Sequence, residues 1–183
     1  MTFRPIMTAE KNDILKGGIS VRNAGLVLIN AYISVLFERL GLTHDHKFSS
    51  AESQLEAAHY LQYIVTGQEQ TEESFLPLNK LLCGIPLAEP VMEGINISAQ
   101  NRQLIEGLIK AAIGYWPAIG SSSIDGFRGN WLVRDGLLTE KHDRWELTVE
   151  KRPYDLLIHR SPFSFSIIKH PWMDKLLHVN WPY

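Results

Sequence analysis

The sequence contains a single cysteine, Cys83, in 183 residues. One thiol excludes an internal disulfide and suits a chain made in a reducing cytoplasm. Long hydrophobic runs are also missing. The longest, Ala24 to Ile29, falls far below the ~20 residues that a membrane span needs. Met1 to Glu10 is short and mixed, without the apolar stretch of a secretory signal. Charge of one sign is not concentrated anywhere: 18 Lys and Arg face 20 Asp and Glu, for a net charge of −2. No basic stripe therefore marks a nucleic-acid footprint, and no polybasic cluster marks docking to an anionic membrane. There is no internal repeat, no low-complexity tract, and no GxSxG, HExxH, P-loop or GxGxxG motif.

What is there suits one globular domain. The 45% hydrophobic and 21% charged fractions are ordinary for a soluble protein. A domain of this length buries roughly 70% of the surface its unfolded chain exposes. Five Trp, six Tyr and seven Phe supply large anchoring side chains. Residues 1–21, with little pattern and a Gly17-Gly18 pair, read as a lead-in or linker, or as the trimmed end of a longer polypeptide. Residues 22–183 read as a single domain, mainly helical over 22–135 and mainly β over 136–183.

The helical half has clear punctuation. Leu26, Ile29, Ile33, Leu36, Phe37 and Leu40 recur at helical spacing, predicting a helix over Ala24 to Leu40 that Gly41 ends. Ser49 followed by Glu52 has the capping-box pattern and predicts a helix from Ser50 to Thr66, with Leu55, Ala58, Leu61, Gln62 and Val65 buried and Gly67 as the stop. Pro77 opens a short helix that Gly84 closes. A longer helix spans Ser98 to Trp116 and ends at Pro117. Ser123 caps one more, carrying Ile124, Phe127 and Trp131.

After Gly136 the period changes to two. Trp145, Leu147 and Val149 alternate with polar residues, predicting a half-buried antiparallel strand. Tyr154 to His159 is expected to return as a second strand, Phe163, Phe165 and Ile167 as a third, and Leu177 to Trp181 as a last edge strand. The expected class is α+β, an N-terminal helical part followed by a small antiparallel sheet.

Candidate chemistry is sparse. Cys83 sits beside Leu81 and Leu82 without a nucleophile signature, which favours a buried structural cysteine. His44 and His46 flank Asp45, but two or three donors without a further nearby ligand suit a solvated loop better than a metal site. Asp125 and Arg128 suit a helix-start pair at i, i+3. No catalytic, cofactor or metal residue is assigned. The functional weight falls on Phe163, Phe165, Trp172, Trp181 and Tyr183, an aromatic group of the kind enriched at protein interfaces.

Four stretches, in order, carry a family resemblance. They are NAGLVLINAYISVLFERLGL from Asn23; AAHYLQYIVTG from Ala57 with LPLNKLLCGIPL from Leu76; SSIDGFRGNWLVRDGLL after Trp116-Pro117; and Trp145 to Trp181, with WELTVE, YDLLI and Ile-Lys-His-Pro-Trp-Met. Together they resemble the C-terminal region of contractile injection system tape measure proteins, found in phage-tail-like particles such as the antifeeding prophage and Photorhabdus virulence cassettes. The resemblance covers Arg22 to Trp181. It departs at Ile29-Asn30-Ala31-Tyr32, where a His-Pro-Phe type sequence is common, and at Gly120-Ser121-Ser122-Ser123, where Lys-Asn-Thr-Ser is more usual.

The resemblance implies a non-enzymatic assembly module that docks to baseplate, hub/spike or tube proteins, first in the cytoplasm and later within a released particle. The chain is too short and too often broken to be the ruler: fully helical, 183 residues would reach only about 270 Å. Two other readings compete, a small enzyme or toxin cargo using Cys83 with a histidine, and a strand-binding adaptor.

Overall fold

The computed structural model describes residues 17–182. Tyr183 and the first sixteen residues of the lead-in lie outside them. Ile19–Val21 forms β1, an outer strand of the main sheet.

The expected first helix is divided. Ala24–Ile29 is a 3₁₀ helix and Asn30–Arg39 is α1. All six residues of the 3₁₀ segment are buried, so there is no exposed face from which an amphipathic period could arise. Gly25 explains the position of this segment: a Cβ there would stand 1.7 Å from the Trp131 carbonyl oxygen. The Ala24 N–H also donates to Arg134 O at 2.9 Å.

Thr43–His44 (β2) and Lys47–Phe48 (β3) form a hairpin. Its two turn residues, Asp45 and His46, have φ of 50° and 62°, both left-handed as a type I′ turn requires. Ala51–Thr66 (α2) starts one residue later than the capping-box pattern suggests: Ser50, not Ser49, accepts from the Ser53 N–H at 3.0 Å. Ser49 instead donates its backbone N–H to Leu42 O, closing the hairpin. Gly67 ends α2 at φ 73° as expected.

Burial on α2 runs through nine consecutive residues, Ala57 to Val65, and not along one stripe. The helix is enclosed by Pro77–Leu82 (α3), by Ala99–Gly114 (α4), by the β3 side of the hairpin and by the turn at Arg128–Leu132. Ser98 caps α4, and Ser123 caps Ile124–Phe127 (α5), each by accepting a backbone N–H three residues on. The chain runs from α5 into a π-type turn over Arg128–Leu132 that buries Trp131 and Leu132.

The second half supplies Gly136–Glu140 (β4), Arg144–Val149 (β5), Ile167–Ile168 (β6) and Leu176–Asn180 (β7). Sheet order is β1-β4-β5-β7-β6. The class is α+β, and three of the four pairings are antiparallel; β5 and β7 run parallel. Leu138, Leu147 and Val179 stand in one cross-strand row of the inner face, against the helices. Leu137, Thr148 and Asn180 form the neighbouring row on the exposed face.

Three strand expectations are corrected. Pro153–Arg160 is a 3₁₀ helix, because Asp155 accepts from the Arg152 N–H and closes a capping arrangement that a strand would break. The Phe163 to Ile167 alternation enters the sheet only at β6; Phe165 packs into the interior and Phe163 lies half-buried against it, both outside any ladder. β7 is an inner strand with β5 on one side and β6 on the other, not an edge.

Candidate functional site

The described C-terminal aromatics are distributed over three places in the fold. Phe165 and Trp181 are 6% and 5% exposed and pack against each other at 5.6 Å between ring centroids. Trp172 is half-buried against Phe37 and Phe48, and its indole N–H donates to Leu82 O at 2.7 Å. That bond ties the chain end to the C-terminus of α3. Phe163 is half-buried edge-on to Trp116 and Tyr32. Tyr183 lies outside the described residues.

Trp181 belongs to a polar node that no sequence pattern marks. Arg134 and Asp155 are both fully buried and paired at 2.6 Å. Asp155 Oδ2 also accepts from the Trp181 indole and the Arg152 N–H, each at 2.9 Å. Arg134 donates to Glu150 O and Asn130 O, and its guanidinium lies 5.0–5.8 Å from the ring centroids of Trp181, Tyr154 and Trp131. Burial pushes the Asp155 carboxyl up; the bonds from Arg134, Trp181 and Arg152 and the guanidinium charge outweigh it and hold the carboxyl below its ordinary range. The node joins four segments: the residues after the π-type turn, the end of β5, the 3₁₀ helix and the residue after β7.

Around Phe163 the surface carries an aromatic and aliphatic patch. Tyr115, at the end of α4, is 65% exposed. It lies close enough to the half-buried Tyr32 to raise that phenol's pKa, a smaller effect than Tyr32's own desolvation. Val35 is 55% exposed and lies one helical turn beyond Tyr32 on α1. Tyr115, Tyr32, Val35 and Phe163 thus combine residues of α1, α4 and the segment before β6. Sequence reading finds Phe163 but not the other three, because nothing in periodicity brings the ends of α1 and α4 together.

The remaining chemical candidates are structural in their geometry. Cys83 is fully buried, and burial pushes its thiol up, away from the nucleophilic thiolate. His44, Asp45 and His46 occupy the hairpin, with His44 and Asp45 3.5 Å apart in open solvent. Among the described residues no three His, Cys, Asp or Glu side chains gather as a metal would require. Asp125 and Arg128 pair at 3.3 Å, and Arg128 also donates to the Tyr63 and Ile64 carbonyls, capping the end of α2.

The protein-family model of the contractile injection system tape measure protein matches residues 2–181. No curated protein and no solved structure matches the chain. The match extends over nearly the whole sequence and contains all four stretches that carry the resemblance. The chain therefore belongs to the contractile injection system tape measure protein family.

Proposed function

We propose that this chain is a non-enzymatic assembly module that docks to baseplate, hub/spike or tube-initiator proteins and so helps to nucleate or set the length of the tube. A family match over residues 2–181, on a fold built from short pieces, supports this reading. The longest helices described, α2 and α4, have 16 residues each, about 24 Å at 1.5 Å per residue. Such a body acts by its surface and not by spanning a lumen.

The patch of Tyr115, Tyr32, Val35 and Phe163 is the face we assign to the partner. Tyrosines give large contact area at little entropic cost, and exposed aliphatics beside them desolvate on contact. Trp172, packed against Phe37 and Phe48 and bonded to Leu82 O, and Phe165 and Trp181, buried against each other, hold the C-terminal segment in place. Assembly would take place in the cytoplasm, with the protein then carried in the particle. No helix among the described residues is long and apolar enough to cross a membrane.

The test is made in a particle-producing cell, imaged by negative-stain electron microscopy. Deleting the chain is expected to give absent, stalled or wrongly sized particles. Tyr115→Ser combined with Val35→Ser, both at exposed positions, should reproduce the defect while the purified variant keeps its circular dichroism spectrum. Normal particles that have lost only a biological effect would identify cargo or an enzyme instead and would overturn the proposal.

A further inference from the structure

The main sheet ends on an open edge. β6 is its outer strand, pairing Ile167 with His178 and Ile168 with Leu177 of β7. The Val179 N–H donates to Ser166 O at 2.9 Å, so the Ser166 backbone is turned towards β7. In an antiparallel ladder this orientation alternates from residue to residue. Ile168 therefore also faces β7, and the N–H and C=O of Ile167 point away from it, to the side where no further strand lies among the described residues. The segment before β6 is equally open: Phe163, Ser164 and Phe165 donate no backbone hydrogen bond within the described chain. The opposite outer strand, β1, differs, since α3 packs against it.

Edges of this kind are usually blunted by charge or proline at the exposed position. Here Ile167 stands there and is 62% exposed. The nearest lysine in sequence, Lys169, carries its ammonium to the His170 and Met173 carbonyls of the turn that follows. Pro162 and Pro171 lie outside the open stretch and bound it.

The same geometry selects among occupants. Pairing of two copies about Ile167 would set Pro171 of each opposite Phe163 of the other, and Pro171 has no N–H to give. That leaves a short ladder over residues 165–169, against the roughly 20–30 residues a side that a stable pair of proteins buries. An extended segment of another protein can run further. From Ile167 it reaches Phe163 after four residues, about 13 Å. Phe163 packs edge-on to Tyr32 and belongs to the patch with Tyr115 and Val35 assigned above to the partner. The open edge and that patch are thus joined through Phe163.

We infer that a strand of the docking partner completes the sheet at β6. Its backbone exchanges hydrogen bonds with the Ile167 N–H and C=O, a β-branched or aromatic side chain covers Ile167, and its continuation reaches Phe163 and Tyr115. Backbone pairing supplies the affinity, and side chains at alternate positions supply the selectivity. The inference rests on the assembly reading and names how the partner is held.

The test uses Ile167→Pro in the full chain. Proline removes the outward N–H, which the fold does not use, and is tolerated at an edge position. Ile167→Thr is the control, because it keeps both the N–H and the β-branched shape. In a particle-producing cell Ile167→Pro is expected to lower the yield of normal particles about tenfold, the factor that one lost hydrogen bond implies, and Ile167→Thr less than about threefold. A second readout needs no variant: amide hydrogen exchange over residues 163–167, fast in the purified chain, should slow at least about tenfold in purified particles. Normal particles from a folded Ile167→Pro chain, equal defects in the two variants, or unchanged exchange would overturn the inference while leaving the assembly role, which the deletion tests. Protection already present in the purified chain would mean that the edge is covered from within. A dimer that Ile167→Pro dissolves would place a second copy there, and either result overturns the inference as well.

Discussion

Asp155 and His170 make opposite uses of burial. Asp155 is charged in the interior because Arg134, Trp181 and the Arg152 N–H all point at one of its oxygens. Removing one member leaves the other buried charge without its partner, so Asp155→Ala should cost about 3–5 kcal/mol in urea unfolding. Because the folded Asp155 pKa is lowered, its contribution is present above the unfolded value and is lost as pH falls through the folded one. His170 is buried neutral, stacked on Trp172 at 5.1 Å with its Nε2 unpartnered, and desolvation pushes its pKa down to about 4. The unfolded chain then takes up this proton first, near pH 6.5, and stability declines from there down to about pH 4. The full loss is on the order of 3 kcal/mol. His170→Phe should flatten that part of a melting-temperature profile against pH, whereas an unchanged slope would place the acid sensitivity elsewhere.

At the scale of elements, close approach of backbones decides more than helix propensity does. Gly25 lies where the 3₁₀ segment meets the π-type turn, and a methyl group there meets the Trp131 carbonyl at 1.7 Å and the Leu132 Cα at 2.7 Å. Neither backbone can yield without dragging its element along. Gly107 lies inside α4 with nothing within 4 Å of a built Cβ. Gly107→Ala should therefore stabilise by about 0.5–1 kcal/mol, as removal of a helical glycine does. Gly25→Ala should cost more than about 3 kcal/mol or prevent soluble expression, well beyond the ordinary cost of overpacking. Comparable melting curves for the two variants would show that the segments separate easily. Gly84 repeats the theme at φ 70°, with the Trp172 carbonyl 2.1 Å from a built Cβ.

For the molecule as a whole, the late chain closes the early one. Trp172 bonds to the end of α3, Trp181 to Asp155, and β1 pairs with β4 across more than a hundred residues of sequence. β7 is an inner strand and the one on which β6 pairs, so without it the sheet is reduced to β1, β4 and β5. One unfolding transition is expected, with coincident far-ultraviolet and tryptophan-fluorescence curves. Ending the chain at Asp174 should abolish the near-ultraviolet dichroism, because it removes β7 and Trp181 together. Two separated transitions in the full chain would show instead that the helical half and the sheet fold independently.

Much of this was local and therefore legible. Ser123 as a cap, Ser98 and Pro77 at helix starts, Gly67 and Gly84 as stops and the strand at Trp145 to Val149 all follow from short-range sterics and hydrogen bonding, which the residues carry wherever they are placed. The family, too, was readable from the order of four stretches and is matched over residues 2–181. Other features depended on partners distant in sequence. Tyr154 to His159 looks like a strand until Asp155 meets Arg134, and Leu177 to Trp181 looks like an edge until β6 folds against it. Asn23, Gln62 and Asn79 are ordinary polar residues until three elements enclose them. Periodicity records which side of an element is apolar; which elements meet, and which polar groups they bury together, is decided only when the whole core closes.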